Sequence, residues 1–81
     1  MEEITYQEVV DMLKDIEEDI DYDNVDDLVD GKHFDSFDII ATINAVNEEF
    51  DITIPASEIV PQNFNSARAL HALIVRLAED E

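Results

Sequence analysis

The chain has 81 residues, 22 of them acidic and 4 basic, for a formal net charge of −18, and 46% of it is apolar. That length supports one modest core and leaves little room for a deep cavity with several catalytic walls. The charge repels the phosphate backbone of nucleic acid and an anionic membrane surface, and it favours partners with basic docking patches, met through electrostatic steering.

The first predicted element is a helix from Tyr6 to about Glu18. Thr5 and Glu8 make a capping box at its start, Ile4 and Val9 stand where a hydrophobic staple would place them, and Tyr6, Val9, Val10, Leu13, Ile16 and Ile20 recur at three- and four-residue steps. Residues 19–35 read as a long acidic loop holding Asp19, Asp21, Asp23, Asp26, Asp27, Asp30 and the single glycine, Gly31. Val25, Leu28, Val29 and Phe34 are its expected anchors on the core.

A second helix begins at Asp35, a favourable N-cap residue with Asp38 at the third helical position, and ends near Phe50 and Asp51. Its expected inward stripe is Ile40, Ile43, Val46, Asn47 and Phe50, with Ile39 on the flank. Ile52 and Ile54 lead to a turn at Pro55. A short helix or helical turn is expected from Ala56 to Val60, stopped by Pro61. Asn65 or Ser66 caps the last helix, whose inner face is Ala67, Leu70, Leu73, Ile74 and Leu77, with Asp80 and Glu81 fraying at the end. The fold class is all-α: a bundle of three main helices plus one short helix, with a long acidic loop between the first and second helices, in a single domain over 1–81.

The chain has no cysteine, so there is no disulfide framework and no thiol of its own. Met1-Glu2-Glu3 lacks the basic and apolar pattern of a secretion signal, and no apolar run approaches membrane-spanning length, so a cytoplasmic location is expected. The heavy like charge favours a monomer, and its self-repulsion means that added salt should raise the melting temperature.

The informative stretch is Gly31-Lys32-His33-Phe34-Asp35-Ser36-Phe37-Asp38-Ile39-Ile40. It places a serine in the first turn of a helix, directly after the acidic loop. An anionic ester on that hydroxyl would meet the unpaired N–H groups and partial positive charge of a helix start, opposed locally by Asp35 and Asp38. On spacing alone, Ser36 reads as an ordinary helix-start serine.

Asp35-Ser36-Phe37-Asp38 resembles the Asp-Ser-Leu-(Asp/Glu) attachment motif of acyl carrier proteins. The likeness continues through Glu48-Glu49-Phe50-Asp51-Ile52-Thr53-Ile54-Pro55, similar to the end of the second helix and the Ile-Pro turn of that family, and through Asn63-Phe64-Asn65-Ser66, similar to its lead into the last helix. The resemblance implies a stand-alone, non-catalytic carrier. A phosphopantetheinyl transferase, using coenzyme A and magnesium, would attach a 4′-phosphopantetheine arm to Ser36, supplying the thiol the chain lacks. Acyl or aminoacyl groups would ride the arm as thioesters between an activating ligase and acyl-transfer or synthase enzymes with basic docking patches.

The resemblance also implies docking through the second helix, where Asp35, Phe37, Asp38, Ile40, Ala41, Asn44, Asn47 and Glu48 would face partners; Ile40 reads equally well as core. Phe37 replaces the usual leucine, and Ala41, Asn44 and Asn47 stand where fatty-acid carriers tend to be acidic or larger and apolar. The departures favour a carrier dedicated to a particular fatty-acid, polyketide or related pathway. An aminoacyl or D-alanyl carrier of the same fold is the alternative, and an acidic cation-binding interaction module without a cofactor is the second.

Asp19, Asp21, Asp23, Asp27 and Asp30 fall at positions of a calcium-loop pattern, but Asn24 takes the place of its sharp-turn glycine and Asp30 is short for its closing glutamate. A solvated acidic face with weak divalent binding is the expectation, and no dedicated metal site. His33 reads as a surface residue near the arm rather than part of a catalytic triad, since no oxyanion loop accompanies it. His71 reads as facing solvent or the core edge. Lys14, Lys32, Arg68 and Arg76 form no cluster in the sequence.

Overall fold

The computed structural model describes residues 3–80. Met1, Glu2 and Glu81, where the sequence reading puts a start without a signal and a frayed end, lie outside the described residues. The elements are α1 (Tyr6–Ile16), α2 (Ser36–Phe50), a single 3₁₀ turn (Ala56–Glu58), α3 (Pro61–Phe64) and α4 (Ala67–Glu79), which agrees with three main helices and one short one. α1 packs against both α2 and α4, and α3 packs on α4.

α1 starts as its sequence dictates. The Thr5 hydroxyl accepts the Glu8 amide at 3.1 Å and the Glu8 carboxylate accepts the Thr5 amide at 3.0 Å. The helix ends at Ile16 rather than near Glu18, and Tyr22 explains why. Its buried hydroxyl sits 3.0 Å from the Leu13 carbonyl and 2.6 Å from the Glu17 carbonyl, so the oxygens of the last turn are met by a side chain instead of by further helix.

α2 buries a different stripe from the one expected. Thr42 and Val46 are fully buried, with Ile39, Ile43 and Phe50 packed beside them. Ile40 and Asn47 are exposed. At 3.6 residues per turn, Ile39, Thr42, Ile43, Val46 and Phe50 span one face, and Ile40 and Asn47 fall outside it. Thr42 is admitted to the core because its hydroxyl donates to the Asp38 carbonyl at 2.8 Å. α2 closes on Asp51, which takes a left-handed conformation (φ 56°, ψ 40°).

The segment after Pro55 corrects a second expectation. Helical structure stops at Glu58, and Pro61 opens α3 instead of stopping a helix. Proline suits a first helical position, because the amide it lacks would be unpaired there and its fixed φ matches the helix. Ser66 caps α4 through the Ala69 amide at 3.0 Å. Arg76 on α4 grips Glu58 with two 3.0 Å bonds, tying the 3₁₀ turn to the last helix.

The core joins Val9, Val10, Met12 and Leu13 of α1 to Val46, Phe64, Ala67, Leu70, Leu73 and Ile74, with Ile52 and Ile54 from the segment before the 3₁₀ turn. The long loop contributes Tyr22, Leu28 and Phe34 as fully buried groups, while Val25 and Val29 are half-buried. Tyr22 and Phe34 meet edge to face, their ring centres 6.3 Å apart. Gly31 is required by closeness: a Cβ there would stand 2.7 Å from the Asp27 carbonyl oxygen. The next residue, Lys32, turns the chain through a left-handed φ of 62° and so aims it at α2.

Candidate functional site

Ser36 is the first residue of α2 and is exposed. Its setting is fixed by a reciprocal cap. Asp35 Oδ1 accepts the Asp38 amide at 2.9 Å, and Asp38 Oδ2 accepts the Asp35 amide at 3.2 Å. Ser36 and Phe37 are the two residues enclosed by that ring, so their backbone is held while their side chains point away from it. Among the described residues no hydrogen bond engages the Ser36 hydroxyl.

The electrostatics around this hydroxyl are mixed. The open amides of the first turn favour an anion. Opposing them are Asp35, Asp38 and the end of α1. The Glu17 carboxyl is held above the ordinary glutamate range, first by its hydrogen bond and repulsion with Asp38, then by burial and by Asp35 and Asp19. Repulsion thus couples the carboxyl just past the end of α1 to the first turn of α2, next to the serine.

The eight residues named for docking do not form one surface. Phe37, Ile40, Ala41, Asn44, Asn47 and Glu48 share the outward face of α2. Phe37 is 79% exposed and Ile40 55%, which decides Ile40 in favour of the surface. Asp38 is half-buried and committed to the cap and to Glu17, while Asp35 precedes the helix as its cap. Asn47 has a local task, its amide donating to Thr53 Oγ1 at 3.3 Å. From Ile39 to Asn47 the helix carries no charge, and acidic residues bracket the stretch at Asp38 and Glu48.

Two residues that hold the site were missed as such in the sequence. Tyr22 sits beside aspartates in an acidic run, and only its isolated aromatic ring hinted at burial. Asn65 looked like a possible cap for α4. Instead its Oδ1 accepts the amides of Val29 and Asp30, its amide donates to Asp30 Oδ2, and its carbonyl accepts the Leu28 amide at 2.8 Å. Asn65 therefore anchors the stretch of loop that leads into Ser36.

The carboxylates of the loop turn to separate partners. Asp21 accepts from Asn24, Asp23 from the Tyr6 hydroxyl at 2.7 Å, Asp30 from Asn65, and Asp27 pairs with His33 at 3.4 Å. Among the described residues no three histidine, aspartate or glutamate side chains are grouped to hold a metal ion. His71 lies at the core edge, its Nε2 2.8 Å from the Ile4 carbonyl. Arg68 reaches the Asp23 carbonyl at 3.4 Å, so both arginines serve the fold. Among the described residues no helix is long and apolar enough to cross a membrane.

No protein-family profile matches the chain, and no solved structure does. A curated relative does: aminoacyl carrier protein 1 of Bradyrhizobium diazoefficiens is 42% identical over 40 residues. The match spans 49% of this chain and 44% of the relative, so less than half the relative's length is covered. Together with the all-helical architecture, that match supports a relationship between this chain and the acyl carrier proteins.

Proposed function

We propose that the chain is a carrier, non-catalytic itself, whose Ser36 hydroxyl receives a 4′-phosphopantetheine arm and displays acyl or aminoacyl thioesters to partner enzymes. The observation that carries this reading is an exposed serine, free of hydrogen bonds to the described residues, at the first position of a capped helix. The site suits such an arm. A phosphodiester on Ser36 would extend into solvent beside unpaired amides, and the cap holds its attachment point still. The nearby carboxylates Asp35, Asp38 and Glu17 do not enclose it, and the magnesium brought by a transferase would offset them.

When bound, the arm supplies a thiol whose esters are activated toward acyl transfer. The protein supplies the attachment point and a face for recognition. Phe37 and Ile40, exposed next to the attachment point, offer an apolar anchor of the kind that dominates interfaces, and Asp35 and Glu48 offer charge at either end for basic groups on a partner. The similarity to a protein named as an aminoacyl carrier favours aminoacyl cargo over fatty acyl cargo as the second, finer reading.

The test is covalent. Incubation with coenzyme A, magnesium and a broad-specificity phosphopantetheinyl transferase should add one phosphopantetheine to the intact mass, and Ser36→Ala should abolish the gain. An unchanged mass would remove the carrier reading.

A further inference from the structure

A groove of about 420 Å³ runs between the segment ahead of α1 and the C-terminal half of α4. Ile4, Val75 and Ala78 line it together with the ring of His71, and Glu3 and Glu79 complete its edge. The first four are half-buried and the two glutamates are exposed, so apolar groups make the floor and carboxylates the rim. Its volume falls within the roughly 300–1,000 Å³ of formed ligand sites.

The walls are fixed. His71 Nε2 donates to the Ile4 carbonyl at 2.8 Å, and the Tyr6 ring meets the His71 ring edge to face, with centres 6.2 Å apart. Between them in the chain, Thr5 is held by its reciprocal bonds with Glu8. The segment ahead of α1 is thus pinned to α4, and the groove is shaped in advance of any occupant.

Its charge has one sign. No lysine or arginine lines the groove among the described residues. Glu8, bonded to Thr5, brings a further carboxylate close to Glu3. α4 ends at Glu79, and the open carbonyls of its last turn add partial negative charge. The basic residue of that turn, Arg76, is committed to Glu58 through two 3.0 Å bonds. An anionic lipid or a fatty acid would bring its charge against Glu3 and Glu79. An aliphatic side chain with a cationic neighbour matches both floor and rim.

We propose that this groove docks a basic, aliphatic peptide segment of a partner protein, with leucine-like side chains on Ile4, Val75 and Ala78 and lysine or arginine beside Glu3 and Glu79. The proposal does not depend on the reading of Ser36. No residue of α2 contributes to the groove among the described residues. The groove adjoins the start of α1, whereas Glu17, just past its end, faces Asp38 in the first turn of α2. Eleven residues of helix separate the two ends, about 16 Å at 1.5 Å per residue. A segment seated in the groove therefore leaves Ser36 and the outward face of α2 free for a second partner.

Two capped hexapeptides test this with the full chain at 0.1 M salt: one alternates lysine and leucine, the other lysine and serine. Their equal charge cancels non-specific attraction to an acidic protein. The leucine peptide should bind about tenfold tighter or more, as expected for burial of one or two leucine side chains. In amide nuclear magnetic resonance spectra its largest shifts should fall at Ile4, His71, Val75, Ala78 and Glu79. Equal affinities, or largest shifts at the exposed Phe37 and Ile40 or along the acidic loop, would overturn the proposal. Val75→Asp adds negative charge but spoils the floor. It should weaken the leucine peptide fivefold or more without weakening the serine peptide; an unchanged leucine peptide affinity would also overturn the proposal. Glu79→Gln, at an exposed position that leaves folding intact, should weaken the leucine peptide about two- to threefold, and no change there would remove the cationic half of the match.

Discussion

Asn65 accepts two backbone N–H groups from across the molecule: its Oδ1 lies 3.0 Å from the amides of both Val29 and Asp30. This one side chain, just ahead of α4, ties down the middle of the long loop, upstream of the Asp35 cap that opens α2. Asn65→Ala strands two amides and frees the Asp30 carboxylate. The expected cost is about 1–2 kcal/mol in urea unfolding, since each lost bond counts for about 1 kcal/mol and these amides are not deeply buried. Hydrogen exchange at Val29 and Asp30 should accelerate more than exchange in α1; uniform acceleration would show that the residue does not act locally.

Tyr22 does the same for the first half of the loop. Tyr22→Phe keeps the ring against Phe34 and removes the hydroxyl from the Leu13 and Glu17 carbonyls. A loss of about 1–2 kcal/mol is expected. Burial, aided by Glu17 and Asp38, pushes the Tyr22 phenol well above the ordinary range. Its neutral form therefore contributes stability that is present below the unfolded value of about 10 and is lost as the pH rises above it. Alkaline unfolding followed by circular dichroism should be less steep in Tyr22→Phe than in the parent.

The acid pair behind Ser36 sets a trend of the same sign on the acid side. Glu17 is raised in the folded state by Asp38, so the native protein binds that proton more tightly than the unfolded chain. Stability should rise as the pH falls from neutrality toward the ordinary glutamate value of 4.5 and gain nothing more from this group below it. Glu58, lowered by Arg76, contributes stability that is lost only as the pH drops below that same ordinary value of 4.5. Melting temperatures should therefore peak on the mildly acidic side. Glu17→Gln should melt higher than the parent at pH 7 and show a flatter approach to that peak; a parent and variant with the same pH profile would exclude the pair as its source.

Asp51 is placed against two preferences at once. It holds a left-handed conformation, and it puts a negative charge at the negative end of α2, whose last turn has no basic residue. Asp51→Gly should stabilise the protein by about 0.5–1 kcal/mol, because glycine takes this conformation without steric cost and the charge disappears. A thermal melt at neutral pH checks it, and a lowered melting temperature would mean that the Asp51 side chain has a compensating partner.

The boundaries of α1, α2 and α4 were legible where a side chain closes a local ring. Thr5 with Glu8, Asp35 with Asp38 and Ser66 with the Ala69 amide are all contacts within three residues. The inner face of α4 was legible from its spacing, because its apolar residues keep to one side. α2 was harder, since apolar residues ring most of it: Ile39, Ile40 and Ile43 compete for the core, and packing against the other elements leaves Ile40 outside. What the sequence hid was long-range. Asn65 reaches 36 residues back to Val29, and Tyr22 caps the helix before it. The short-range patterns used to read the chain carry no trace of such contacts. Pro61 was misread because proline both ends and begins helices, and here the 3₁₀ turn had already stopped at Glu58.

The proposed attachment point for a phosphopantetheine arm is the Ser36 hydroxyl. Trypsin cleaves after Lys32 and Arg68, with no lysine or arginine between, so one peptide, residues 33–68, holds Ser36 together with Thr42, Thr53, Ser57 and Ser66. After treatment with coenzyme A, magnesium and transferase, fragment-ion mass spectrometry of that peptide should place a single phosphopantetheine on Ser36. An unmodified peptide, or an arm found on Ser57 or Ser66, would contradict the claim.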